Sequence, residues 1–213
     1  MVINKPEGLL THQTKMSSDR DSLVDRLREN FKNPPSPVHR LDRPTSGIIL
    51  CSYNSETARI LGNLFINKKI HKRYLAIVRG FTHSEGQIDT PLSKDGEGEL
   101  QNALTSYKTL ITMEINIPNN KYRTSRYSLI QVYPDTGRFH QIRRHMAGIG
   151  HPILGDTSHG DLRHNRIFSC HFGNDRLLLH SDNLCFPHPV TGKEVDITSP
   201  VEGKMQEIIK QFT

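Results

Sequence analysis

The apolar runs of this chain, such as Ile48-Ile49-Leu50-Cys51, are no longer than a β-strand. None approaches the roughly 20 consecutive apolar residues that a membrane-spanning helix needs, so a membrane-spanning protein is excluded. β-Branched, aromatic or apolar stretches bounded by turn residues predict strands over Gly47–Tyr53, Lys72–Val78, Thr105–Ile115, Tyr127–Tyr133 and Leu177–Leu184. Helical spacing predicts amphipathic helices over Asp21–Phe31 (Leu23, Val24, Leu27 and Phe31 inward), Asn54–Asn67 (Ala58, Leu61, Leu64 and Phe65 inward) and Val201–Phe212 (Met205, Ile208, Ile209 and Phe212 inward). The elements mix without a regular βαβ alternation. An α+β fold with a mixed, largely antiparallel sheet flanked by helices and loops is the expectation. Residues 33–37, 93–99 and 116–120 are punctuated by Pro, Gly or Asn and read as surface loops, none long enough for a domain linker. Residues 1–213 are therefore expected to form one domain.

Charge narrows the class of partner. Lys and Arg number 28 against 22 Asp and Glu, a net +6 before any of the 12 histidines protonates, which suits a polyanion without proving one. The N-terminal Met1-Val2-Ile3-Asn4-Lys5-Pro6-Glu7-Gly8 lacks the apolar core of a secretory signal, and a cytoplasmic protein is expected. Cys51, Cys170 and Cys185 are an odd set without CxxC spacing, read as buried, inert thiols. Six histidines between His140 and His171 show no HExxH or Cys/His ligand register, so no metal is expected; GxSxG, GxxxxGK[ST] and GxGxxG are absent.

Three segments carry candidate chemistry. In Val38-His39-Arg40-Leu41-Asp42-Arg43-Pro44-Thr45-Ser46-Gly47 a carboxylate stands between two arginines just before an apolar strand. It is either a solvated loop with a local ion pair or an acid kept ionised at the rim of a cleft. In Asp135-Thr136-Gly137-Arg138-Phe139-His140-Gln141-Ile142-Arg143-Arg144-His145-Met146 a turn leads into a helix on which His140, Arg143 and Arg144 fall at i, i+3 and i+4. That cationic face is either solvated or serves an anion. In Lys72-Arg73-Tyr74-Leu75-Ala76 an aromatic beside two cations serves either packing or phosphate contact with base stacking.

Taken in order, His39–Gly47, Lys72–Ala76 and Thr136–Arg143 resemble the signature motifs of the RluA-type pseudouridine synthases. Asn4-Lys5-Pro6-Glu7-Gly8 looks like the family's KPxG segment and His151-Pro152-Ile153-Leu154-Gly155-Asp156 like its HPxxGD segment. Leu179-His180 and His188-Pro189 with Thr191-Gly192 match its C-terminal pattern, so the resemblance spans nearly the whole chain. Arg43-Pro44 and the run Gly155–Arg166 look most like the tRNA-modifying branch, which implies RNA as partner and uridine 65 of a tRNA as target. Large-subunit ribosomal RNA synthases are the nearest competitors.

The resemblance implies a cofactor-free isomerisation in which the bond from ribose to a uracil nitrogen breaks, the base turns, and a ring carbon rejoins the sugar. It places the catalytic carboxylate at Asp42, acting as nucleophile or by removing a sugar proton to give a glycal, the second route being preferred. It makes Arg143 the cation that orients Asp42 and Tyr74 the ring that stacks on the uracil and assists late proton removal. Ile142 walls the pocket, and Arg40 fills the gap left by the flipped base. Arg43, Lys72, Arg73, Arg138, His140 and Arg144 become RNA contacts. Many members begin with an upstream strand or a separate S4 domain; here Met1 lies four residues before Lys5, so an early strand is expected to be absent or supplied differently, with no S4 domain. Ser93–Leu104 looks short beside relatives, reducing any RNA-contacting insertion there. A monomer is expected. The rival readings are a non-catalytic RNA-binding protein on the same fold and a His-rich metal hydrolase.

Overall fold

The computed structural model describes residues 1–13, 21–94, 98–119 and 122–212; residues 95–97 and 120 of the expected loops lie outside them. In chain order the elements are β1 (Val2–Lys5), α1 (Leu23–Asn30), β2 (Ser36–Pro37), β3 (Ser46–Ser52), α2 (Ser55–Ile66), β4 (His71–Arg79), β5 (Glu85–Asp89), β6 (Leu92–Ser93) and β7 (Leu100–Gln101). There follow β8 (Leu104–Ile115), β9 (Ser125–Pro134), α3 (Gln141–Gly148), α4 (Leu162–Phe172), β10 (Leu179–Pro187), β11 (Glu194–Thr198) and α5 (Gly203–Ile209). The α+β expectation holds. No described helix is long and apolar enough to cross a membrane. The chain divides into two compact units, Met1–Lys72 with Ser181–Pro200 and Arg73–His180 with Val201–Thr213.

In the first unit β3 is buried along its whole length and pairs antiparallel with β1, from Val2↔Leu50 to Lys5↔Gly47. Val2–Lys5, leading into the KPxG segment, is thus itself a strand of the sheet. Ile48 and Leu50 project to one face of β3, where Leu61, Ile70, Leu184 and Phe186 close the core, with Phe65 packed against them. The sequence places α2 there because Asn54 caps it, accepting the Thr57 N–H at 2.8 Å, and Leu61, Leu64 and Phe65 share a stripe. Ser22 caps α1 in the same way, and Leu23 and Leu27 bury. Gly47 has φ +113°, and a Cβ there would stand 2.2 Å from the Ser181 carbonyl oxygen, so only glycine lets this backbone approach.

In the second unit β4 pairs with β9, β9 with β8 and β8 with β5, all antiparallel. Period-two alternation gives this sheet two apolar faces. Ala76, Val78, Ile130 and Val132 meet Ile142 and Met146 of α3 on one face. Ile77, Tyr127 and Leu129 meet Phe168 and Phe172 of α4 and Met205 and Ile208 of α5 on the other. The sequence reading missed α4, although Asp161 caps it, taking the Arg163 and His164 N–H groups on Oδ1, and Gly173 ends it at φ 62°. It also missed β5 and β11, and it assigned Ser93 to a loop where the residue pairs in β6. Cys51 is buried, its thiol pushed up to about 11 by desolvation, but Cys170 is exposed, correcting the expectation of buried thiols: on α4 the inward positions are Phe168 and Phe172.

Candidate active site

Lys5 organises the loop that carries Asp42. Its side chain is fully buried, and its ammonium donates to the carbonyl oxygens of Pro6 (2.7 Å), Leu9 (2.8 Å) and Arg43 (3.2 Å), one acceptor for each of its protons. Burial pulls its pKa down to about 8 against the opposing carboxylates of Glu7 and Asp42, so it stays cationic at neutral pH. The residues flanking Asp42 are clamped separately. Thr11 Oγ1 donates to the Leu41 carbonyl (3.1 Å) and accepts the Leu41 N–H (3.3 Å), while Gly8 N–H donates to the Arg43 carbonyl and Arg43 Nε returns a bond to the Gly8 carbonyl, both at 2.9 Å. Thr45 N–H closes the turn on the Asp42 carbonyl at 3.0 Å. A partly buried carboxylate between clamped neighbours is presented rigidly.

His39 pins the same segment to β3. Its Nε2 accepts the Leu50 N–H at 2.9 Å, which places the ring proton of the neutral form on Nδ1. Desolvation pushes its pKa down to about 4, with the Lys72 cation adding to the effect and a backbone hydrogen bond with Arg40 opposing it. Arg40 is exposed, and its charge helps burial hold His12 below the usual histidine range.

In the second unit Tyr74 and Arg73 stand at the start of β4, both partly buried. Tyr74 lies opposite Val132 and packs against the core face it shares with Ala76 and Val78. Arg143, on the first turn of α3, is 4% exposed and pairs bidentately with Asp156, Nε to Oδ2 at 2.7 Å and Nη2 to Oδ1 at 2.8 Å. Asp156 Oδ1 also accepts the N–H groups of Ser158 (2.9 Å) and His159 (3.0 Å). Burial alone would raise the Asp156 carboxyl; the Arg143 guanidinium and these N–H donors outweigh it and hold the pKa below the usual carboxylate range.

The expected common cationic face of α3 is corrected. His140 sits before the helix in the left-handed region (φ 51°), Arg143 is buried on Asp156, and Arg144 is partly buried, its Nη1 donating to the Ser93 carbonyl at 2.8 Å. Arg138 Nε donates to the Asn102 carbonyl (3.1 Å), and Ile142 is core. Sequence reasoning missed Gln141. Its Oε1 accepts from Thr136 Oγ1 (2.7 Å) and the Arg138 N–H (2.9 Å), and its Nε2 donates to the Leu104 carbonyl and Thr105 Oγ1 (both 2.9 Å). The six histidines between His140 and His171 scatter: His145 binds Thr105 and Thr90, His151 the Arg79 carbonyl, His164 Asn119, and His140 binds His159.

Comparison with known proteins fits this geometry. A family model described as RNA pseudouridylate synthase matches residues 1–148. A protein of Pasteurella multocida named tRNA pseudouridine synthase C is 41% identical, the match covering all of this chain and 92% of that one; its namesake from Haemophilus influenzae is 39% identical, covering all of this chain and 93% of that one. Among solved structures, human RNA pseudouridylate synthase domain containing 4 superposes with a TM-score of 0.75 at 24% identity, covering 99% of this chain and 88% of that one. Human RNA pseudouridylate synthase domain containing 1 gives 0.73 at 23%, covering 94% and 79%. These two show the shared fold.

Proposed function

This chain belongs to the RNA pseudouridylate synthase family, and from that premise we propose that its substrate is a tRNA, that uridine 65 is its target, and that Asp42 is the reacting carboxylate. The protein is a pseudouridine synthase, an isomerase. The observation that carries the assignment of Asp42 is the double clamp on Leu41 and Arg43, which holds the carboxylate between them at a fixed position.

In the proposed reaction Asp42 removes the ribose 2′ proton as the glycosidic C–N bond breaks, and the bonding pair leaves with the uracil. The base turns and its C5 bonds to C1′ of the glycal while Asp42 returns the proton to C2′. Loss of the C5 proton, assisted by Tyr74, and protonation of the ring nitrogen complete the isomer. Extruding the uridine from a stem requires about a few kcal/mol, offset by stacking on Tyr74, whose ring is backed by the core, and by Arg40 entering the vacated space. Arg143 orients Asp42, and Asp156 keeps Arg143 from turning away. Ile142 walls the base pocket. Arg43, Lys72, Arg73, Arg138, His140 and Arg144 meet the phosphate backbone; Arg43 and Arg138 also brace loops and Arg144 braces β6, so their loss disturbs both RNA contact and local order.

Pseudouridine mapping at single-nucleotide resolution on unmodified tRNA and ribosomal RNA transcripts tests the substrate. One new pseudouridine at position 65 of tRNA is expected. Modification of ribosomal RNA alone, or of neither RNA by the folded protein, overturns the proposal.

A further inference from the structure

His159 belongs to none of the chemistry assigned above, yet it joins two parts of the site. Its backbone N–H donates to Asp156 Oδ1 at 3.0 Å, the oxygen that also receives Nη2 of the buried Arg143. Its ring Nε2 lies 2.9 Å from Nδ1 of His140, with the ring centroids 5.1 Å apart and the planes at 79°. The position of that loop is set by backbone packing. A Cβ on the neighbouring Gly160 would stand 2.0 Å from the Asp156 carbonyl oxygen, and Asn165 Nδ2 donates to the same oxygen at 2.9 Å.

His140 needs such a support. It is one of two non-glycine residues among those described with positive φ, a conformation in which any Cβ crowds the backbone at a cost and which persists where the surroundings hold it. Its ring is held from two sides: it stacks on Phe139 with centroids 3.7 Å apart, and it shares the hydrogen bond with His159. One of the two facing nitrogens carries the proton and the other the lone pair, so the tautomers of the two rings are tied to each other and the bond sets where the His140 ring lies.

We propose that His159 is a positioning residue for RNA binding: it fixes the ring of His140, the residue that meets the phosphate backbone, while its main chain braces the Asp156–Arg143 pair. This rests on the reading of the chain as an RNA-modifying enzyme. Because the brace runs through the main chain, removing the ring leaves the hydrogen bond to Asp156 in place, and the loss at His140 is read directly at its own ring.

The test compares His159→Ala, His159→Gln and His159→Asn in the full chain. A glutamine amide reaches the position of the Nε2 atom that His159 uses; an asparagine amide reaches only the Nδ1 position. His159→Ala should raise KM for the tRNA transcript about fivefold with kcat within about twofold of wild type, the loss of one positioning hydrogen bond. His159→Gln should restore most of that loss and His159→Asn little of it. Nitrogen-15 NMR of the His140 ring, read without RNA, should show a hydrogen-bonded Nδ1 in wild type and His159→Gln and the loss of that hydrogen bond in His159→Ala. An unchanged KM in His159→Ala, a fall confined to kcat, or equal defects in the Gln and Asn variants overturns the proposal. If wild type modifies no RNA, the enzymatic reading fails; the NMR arm still decides the positioning role, and an unchanged His140 ring in His159→Ala defeats it.

Discussion

A histidine that accepts a backbone N–H must stay neutral to do so, and in His39 this requirement makes stability depend on pH. Its pKa is about 4 in the folded protein against about 6.5 unfolded, so between those values the unfolded chain binds more protons and stability falls as pH falls. The loss is complete below about pH 4 and amounts to about 3 kcal/mol over the window, with burial the main cause. Urea midpoints at pH 6.5 and 4.5 should therefore drop more for wild type than for His39→Gln, which keeps an acceptor but cannot titrate; equal drops would contradict the assignment. At this scale the sequence named the candidate residues and was silent about how they are held. Asp42, Tyr74 and Arg143 were named through ordered motifs. The threonine that clamps Leu41 gave no local signal, and the lysine that closes three carbonyls and the glutamine that accepts the Arg138 N–H stood inside quoted motifs with no role read for them, because each acts through backbone groups brought near by the fold.

Elements were legible where their own period decided them. The β3 run, α2 and the alternating faces of β4 and β9 need only local pattern, and they form as the spacing predicts. α4 was missed because its histidines and arginines obscured the apolar stripe of Phe168 and Phe172, although its caps stood in the sequence. β5 buries only Ile88, and β11 no residue fully, so neither carries enough apolar surface to declare a strand; pairing with a longer neighbour makes them. Glycine roles show the same split. Gly47→Ala would meet the Ser181 backbone at 2.2 Å in a conformation that disfavours any side chain, and should destabilise by at least about 3 kcal/mol. Gly62→Ala, in α2 with nothing within 4 Å, should stabilise by about 0.5–1 kcal/mol. Denaturant titration of the two variants checks both signs; a tolerated Gly47→Ala would mean that β3 does not press on Ser181.

For the whole molecule, an α+β architecture and a basic, RNA-directed enzyme were both readable, the first from mixed periodicities and the second from motif order together with the net charge of +6. What the chain as a whole adds is support for one short segment: β1, the turn after it and β3 converge on the residues flanking Asp42 through Lys5, Gly8, Thr11 and His39. The central claim is that this scaffold exists to present that carboxylate. Single-turnover pseudouridine formation on a tRNA transcript, measured for wild type and Asp42→Asn beside their urea midpoints and RNA affinities, tests it most directly. The account predicts a rate lower by at least about a hundredfold with folding and RNA binding close to wild type. An Asp42→Asn protein that converts uridine within about tenfold of the wild-type rate would contradict it.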